Sequence, residues 1–186
     1  MIDIRSDTVT RPTPGMLEAM MHADVGDDVF GEDATVNTLQ RTAAERFGME
    51  AALFCPSGTM TNQIGIKVHT QPGDEVICDE VSHVYLYEGG GIAFNSGAST
   101  RLMKGNRGRF TAQDVLDNVN HSEDAHFPHT RLVSIENTVN KGGGCCWDVS
   151  EIEQIRKACD AHGLALHLDG ARLFNAIVAR AEEPKR

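Results

Sequence analysis

The chain has 186 residues, of which 40% are hydrophobic and 24% charged, and its formal net charge is −10. That length holds one domain or slightly more with a substantial core, and the acidic balance argues against a nucleic-acid backbone or an anionic membrane as the main partner. No uninterrupted apolar run approaches transmembrane length, and residues 1–7 lack the basic-then-apolar order of a signal peptide, so a cytoplasmic protein is expected.

In chain order, Thr13-Pro14 predicts a helix start, with proline at the first helical position. Residues 35–47 read as a helix with Leu39, Ala43 and Phe47 on one face and Gly48 as its stop. Residues 51–55 read as a short strand. Residues 59–69 read as a helix with Met60, Ile64 and Val68 at four-residue spacing, and 75–78 as another strand. Residues 95–110, rich in Gly, Ser and Arg, read as a surface loop. Thr111-x-x-Asp114 marks a helix start and 131–135 a strand. Ser150-x-x-Glu153 reads as a capping box opening a helix with Ile152, Ile155 and Cys159 inward, stopped by Gly163. In residues 164–169, Leu164, Leu166 and Leu168 alternate with Ala165 and His167, which reads as a strand buried on both faces, as in parallel sheets. Strands alternating with amphipathic helices define an α/β fold. No internal repeat, low-complexity linker or domain boundary stands out.

Three places could carry chemistry. Asp169 would close the last strand at its carboxyl end, where open α/β sheets bind ligands, and Arg172 follows it. An acid and a guanidinium there suit an aromatic nitrogen cofactor and an anionic substrate; the alternative is an aspartate capping the next turn. Pro56-Ser57-Gly58-Thr59 joins a strand to a helix N-terminus, where free N–H groups and the dipole attract a phosphate; alternatively Ser57 or Thr59 only caps the helix. It is neither a Walker loop nor a dinucleotide fingerprint. His83, near Tyr85, Tyr87 and the run Gly89-Gly90-Gly91, could face a flat ligand, bind a metal with Asp79, or be a half-exposed loop histidine. No Cys or His spacing completes a metal site, so none is expected.

Residues 131–135 run into Glu136-Asn137-Thr138, again polar groups at a strand end, while Gly142-Gly143-Gly144 reads as a turn. His22, His69, His121, His129 and His162 read as surface residues. Cys55, Cys78, Cys145, Cys146 and Cys159 are odd in number and form no Cys-x-x-Cys, which reads as reduced thiols. Cys145-Cys146 is open to a reactive-pair reading, against buried inert thiols.

Four segments carry a resemblance: Arg5-Ser6-Asp7-Thr8-Val9-Thr10-Arg11-Pro12-Thr13, Gly26-Asp27-Asp28-Val29-Phe30-Gly31-Glu32-Asp33, Pro56-Ser57-Gly58-Thr59-Met60-Thr61-Asn62-Gln63, and Leu166-His167-Leu168-Asp169-Gly170-Ala171-Arg172-Leu173-Phe174-Asn175-Ala176. Together they resemble the low-specificity L-threonine aldolases of the aromatic amino acid β-eliminating lyase/threonine aldolase family. The resemblance implies an aspartate-aminotransferase-like fold (fold type I), a mostly parallel sheet with helices on both faces. It implies an N-terminal segment, 1–25, and the first portion of the cofactor-binding large domain, 26–186. It also implies pyridoxal 5'-phosphate as cofactor and retro-aldol cleavage of L-threonine or L-allo-threonine to an aldehyde and glycine. A homo-oligomer, a dimer of dimers, is implied for the complete protein.

By position, the resemblance assigns Asp169 to the pyridine nitrogen, His83 to the ring face and proton movement, and Gly58 and Thr59 to the phosphate. Ser6 and Arg172 would hold the substrate carboxylate. His126 would lie near the substrate hydroxyl, with Tyr87 and Asn137 also in the pocket. Two departures stand out. The family usually has Glu-Asn-Thr-His-Asn where this chain has Glu136-Asn137-Thr138-Val139-Asn140. The family's Schiff-base lysine lies in a Ser-Lys-Gly segment beyond Asp-Gly-Ala-Arg that these residues do not contain, and Lys67, Lys104, Lys141, Lys157 and Lys185 are not expected to replace it. The expectation is therefore the first half of a family member, its large domain incomplete and the C-terminal small domain absent. The alternative to an active enzyme is an inactive fragment that binds cofactor weakly or pairs with family subunits. An isolated fragment is expected to be poorly soluble, because an incomplete parallel sheet leaves an apolar edge.

Overall fold

A computed structural model of the chain describes every residue except Met1, Ile4, His121, Ser122 and Arg186; the expectation for His121 lies outside the described residues. The backbone divides into two units, Met1–Phe54 and Cys55–Pro184.

In the first unit, Thr13 caps helix α1 (Pro14–Met21), its side chain accepting from Met16 N with Pro14 in the first turn. Asp33 caps α2 (Ala34–Phe47), which ends on Gly48 at φ +66°. A left-handed residue at a helix end favours glycine, which has no Cβ to clash there. The strand expected at 51–55 does not form. A strand needs a ladder partner; here the Phe54 N–H donates instead to Gln40 Oε1 at 2.8 Å, and Leu53 and Phe54 stay exposed.

The second unit runs α3 (Gly58–Lys67), β1 (Asp74–Asp79), α4 (His83–Leu86), α5 (Gly91–Ser96), β2 (Ser99–Met103), α6 (Ala112–Asn118), β3 (His129–Glu136), α7 (Val149–Ala161), β4 (Ala165–Asp169) and α8 (Leu173–Arg180). The four strands form one sheet in the order β2-β1-β3-β4, and every pair is parallel. Alternation along each strand sends neighbouring side chains to opposite faces. Ile77, Val133 and Ile135 join Phe110, Trp147, Ile155 and Cys159 in one cluster. Val76, Cys78 and Leu132 join Ile66, Val84 and Ile92 in another. The expected α/β architecture with apolar cores on both faces of a parallel sheet is thus present.

Four local expectations need correction. Residues 95–110 are not a plain loop but contain β2, whose polar side chains are held by the neighbouring strand: Ser99 Oγ donates to Asp74 O at 3.2 Å and Arg101 Nε lies 3.3 Å from Glu75 Oε1. The capping box of α7 is Asp148 with Glu151, not Ser150 with Glu153; Asp148 N donates to Glu151 Oε2 at 3.1 Å. Strand β4 is only half-buried before Asp169, because it is an outer strand of this sheet. On α3 the inward residues are Asn62, Gln63 and Ile66. Met60 and Val68 are 45% and 67% exposed and, with Ile64, Ser57, Thr59 and Lys67, line an open groove of about 560 Å³. The polar side of α3 faces inward because buried carboxylates wait for its amides.

Candidate functional site

In an all-parallel sheet every strand delivers its last residue to the same rim. Strand β3 ends on Glu136 and β4 on Asp169, 3% and 5% exposed. A buried carboxylate is tolerated only where donors surround it. Glu136 Oε2 accepts the His83 N–H at 2.9 Å, while Oε1 accepts Asn140 N at 2.8 Å and faces Arg172 Nη2 at 3.3 Å. Burial pushes the Glu136 carboxyl above its ordinary range, against the pull of those N–H groups. Arg172 is fixed further by Thr138, with Nε 3.1 Å from Oγ1 and Nη2 3.0 Å from the carbonyl. Its guanidinium is thereby held rigid at the start of α8.

Asp169 uses its two oxygens differently. Oδ1 accepts Ala171 N at 3.2 Å, which is the turn-capping role. Oδ2 accepts Asn62 Nδ2 at 3.0 Å, on the side of the cluster. Both donors are neutral. The Asp169 carbonyl accepts Asn137 N at 2.9 Å.

The same Asn62 Nδ2 reaches Glu88 Oε1 at 2.8 Å. Glu88, its side chain fully buried, also meets His83 Nδ1 at 3.0 Å. Its second oxygen accepts Gln63 Nε2 at 2.5 Å. His83 is therefore held by Nδ1 from one side, with its side chain 35% exposed. The Tyr87 ring lies 5.5 Å from the imidazole, and Lys141 Nζ sits 5.3 Å above that tyrosine. Ligand atoms of His83, Glu88 and Asp169 all lie within 4.8 Å of one another, but the Asn62 amide already donates to both carboxylates. Asp79, the metal partner considered for His83, spends its oxygens on the backbone N–H groups of Val81 and Gly105, at 3.0 and 2.8 Å. Gly91 serves helix contact more than ligand approach: a Cβ there would stand 2.4 Å from the Gln63 side chain.

Of the remaining expected residues, Gly58 and Thr59 open α3 and are exposed, with Ser57 as the cap accepting Met60 N at 3.2 Å. Asn137 is buried, and its Oδ1 finds no donor among the described residues. His126 is not brought into the cluster. It precedes β3, at the amino side of the sheet, with a side chain 93% exposed and Nδ1 2.8 Å from Asp124 Oδ1. Ser6 belongs to the first unit, where its Oγ accepts Thr8 N at 3.2 Å. Val139 is a core residue, 1% exposed in the cluster around Trp147. The five cysteines are free thiols; burial pushes Cys78 and Cys159 up to about 11, which leaves them inert as nucleophiles.

Sequence reasoning missed Asn62, Gln63, Glu88 and His167 as members of the site. The available signal was two adjacent amides on a helix with a Met60, Ile64 stripe. His167 Nε2 lies 3.1 Å from Asn62 Oδ1. Burial holds the His167 imidazole below its ordinary value of 6.5; Asp169 and Glu88 pull it up and His69 pushes it down. The unfolded chain therefore takes up a proton first as pH falls. The stabilising contribution of neutral His167 is complete above 6.5 and is lost as pH drops through its lower folded value. Between pH 7.5 and 5.5 the urea midpoint is expected to fall further for the natural protein than for His167→Gln; equal losses would refute the effect.

A parallel α/β sheet with helices on its faces and buried Asp169 and Glu136 at its carboxyl rim has the architecture of the fold-type I class of pyridoxal-phosphate enzymes, which solved structures share. A threonine aldolase of Leishmania major superposes with a TM-score of 0.75 at 28% identity, over 87% of this chain and 46% of that one. The aspartate aminotransferase of Rhizobium meliloti shares the fold at 15% identity, with a TM-score of 0.58 over 83% of this chain and 38% of its own. Residues 3–186 match the beta-eliminating lyase family, and the chain belongs to that family, whose members are pyridoxal-phosphate enzymes. A probable low-specificity L-threonine aldolase 2 of Arabidopsis thaliana is 42% identical over 100% of this chain and 53% of its own length. A low specificity L-threonine aldolase of Escherichia coli K12 is 44% identical over 100% and 55%. The chain thus spans about half the length of the curated relatives it matches. No helix among the described residues is long and apolar enough to cross a membrane.

Proposed function

We propose that the protein carrying this chain binds pyridoxal 5'-phosphate and cleaves the Cα–Cβ bond of a β-hydroxy-α-amino acid, L-threonine or L-allo-threonine, to an aldehyde and glycine. The observation that carries the reading is Asp169: a buried carboxylate at the end of β4 whose hydrogen bonds, among the described residues, come from the neutral donors Asn62 and Ala171. Such a group suits a cationic ring N–H. The orphaned Asn137 Oδ1 beside it offers an acceptor to a ligand donor. The cofactor supplies the electron sink for the bond cleavage.

Around that group each side chain has its own task. Asp169 would keep the ring nitrogen protonated by holding a negative charge in a dry site. Gly58 and Thr59, at the N-terminus of the ten-residue helix α3, offer N–H groups to the phosphate. The half-exposed His83 would face the ring and move a proton at Nε2, because Nδ1 is held by Glu88. Arg172, already oriented by Glu136 and Thr138, would hold the substrate carboxylate. Tyr87, whose ring lies 5.5 Å from the His83 imidazole, belongs to the substrate side of this reading. A role in threonine catabolism and glycine formation, in a cytoplasmic homotetramer, belongs to the same proposal.

The encoded protein supplied with pyridoxal phosphate is expected to release glycine and acetaldehyde from L-threonine, and no pyruvate from a β-substituted amino acid. Pyruvate release without glycine would replace the aldolase reading with a β-elimination.

A further inference from the structure

We propose that Asn62 is a positioning residue that couples the cofactor-facing Asp169 to the His83–Glu88 pair, and that His167 sets the direction of its amide; this rests on the cofactor reading above. Asn62 is 6% exposed, and no solvent substitutes for its partners. Its Nδ2 lies 2.8 Å from Glu88 Oε1 and 3.0 Å from Asp169 Oδ2. Ionised carboxylates only accept, so both amide hydrogens must point at them. The amide oxygen then faces His167 Nε2 at 3.1 Å, and only a protonated ring nitrogen bonds to it. The imidazole is thereby fixed as the Nε2–H tautomer. Its burial, which favours the neutral ring, agrees with a single proton there.

Helix α3 is shaped for this contact. Three residues beyond Asn62, on the same helical side, Gly65 leaves the space that His167 fills: a Cβ would stand 2.9 Å from His167 Nδ1. Two carboxylates within 4.8 Å of each other repel strongly in a low-dielectric interior. One neutral amide donating to both offsets that repulsion. Glu88 can then hold His83 Nδ1 while Asp169 keeps its place toward the ring nitrogen. Asp169 and the His83–Glu88 pair are thus joined through one amide.

The first measurement needs no cofactor. Nitrogen-15 NMR of the encoded protein should show His167 as the Nε2–H tautomer at pH 7.5; an Nδ1–H tautomer would mean a reversed amide and overturn the proposal. The second is affinity for pyridoxal phosphate and for its deaza analogue, in which CH replaces the ring nitrogen. Asn62→Leu should weaken pyridoxal phosphate binding about ten-fold, the loss of one hydrogen bond to a charged group, and leave the deaza analogue unchanged. His167→Gln, which can still donate to Asn62, should retain affinity, and His167→Phe should lose it; this pair carries the test if Asn62→Leu does not fold. Equal affinities for His167→Gln and His167→Phe, or equal losses for both ligands in Asn62→Leu, would overturn the coupling. A natural protein that binds no pyridoxal phosphate would instead overturn the cofactor reading, while the His167 tautomer still decides the amide direction.

Discussion

Asp169→Asn is expected to lower kcat for glycine release on the order of 10³-fold while the fold survives, an effect comparable to removing a preorganised charge from a catalytic site. The side chains have the same shape, and the asparagine oxygen can still accept from Ala171 N or from Asn62. What disappears is the negative charge that, in the proposed cofactor reading, would keep the ring nitrogen protonated. In either orientation the new NH₂ faces a donor, Ala171 N or Asn62 Nδ2. Two donors facing each other in a buried site disfavour the local arrangement without touching the sheet. Kinetics with L-threonine, together with circular dichroism to confirm the fold, provide the check. A kcat within a few-fold of the natural protein would show that Asp169 only caps the turn through Ala171 N.

The sequence made much of this site legible because chemistry and position coincide at strand ends. Asp169 and Glu136 were readable as polar groups closing apolar runs, and both lie at the rim. The helix read as 35–47 with its stop at Gly48 was readable to within a residue, since α2 runs from Ala34 to Phe47. The polar interior was not. Asn62 and Gln63 share α3 with a Met60, Ile64, Val68 stripe that hydrophobic spacing assigns to the core, yet that stripe is the outer one. Its burial order is inverted because Glu88 and Asp169 demand amide donors, and no local pattern records a demand made 26 and 107 residues away. Strand β2 was hidden for the opposite reason: its Ser99 and Arg101 look solvated but bond to the neighbouring strand. Residues 51–55 have strand-like composition and no ladder to join, and composition cannot supply a partner.

Glu136 is the second group whose loss should be large, and its effect falls on stability. Glu136→Leu is expected to destabilise the fold by about 3–5 kcal/mol, the range for breaking a buried pair by removing one partner. Three groups converge on this carboxylate: the N–H of His83, the N–H of Asn140 and the Arg172 guanidinium. Leucine fills similar volume but accepts nothing. Each stranded buried N–H costs about 1–3 kcal/mol, and Arg172 would keep only its Thr138 contacts among the hydrogen bonds described above. The Trp147 indole is spared, since it donates to the Glu136 backbone carbonyl at 2.9 Å. Much of the loss therefore belongs to the rim, not to the core beneath it. Glu136→Gln should fall between the two, because its amide oxygen can still accept one N–H while its NH₂ opposes Arg172. Urea denaturation of the encoded protein and both variants measures the series. A Glu136→Leu variant within about 1 kcal/mol of the natural protein would mean that solvent or neighbouring carbonyls already satisfy these donors. His83 and Arg172 would then owe their positions to something other than the Glu136 carboxylate, which touches both.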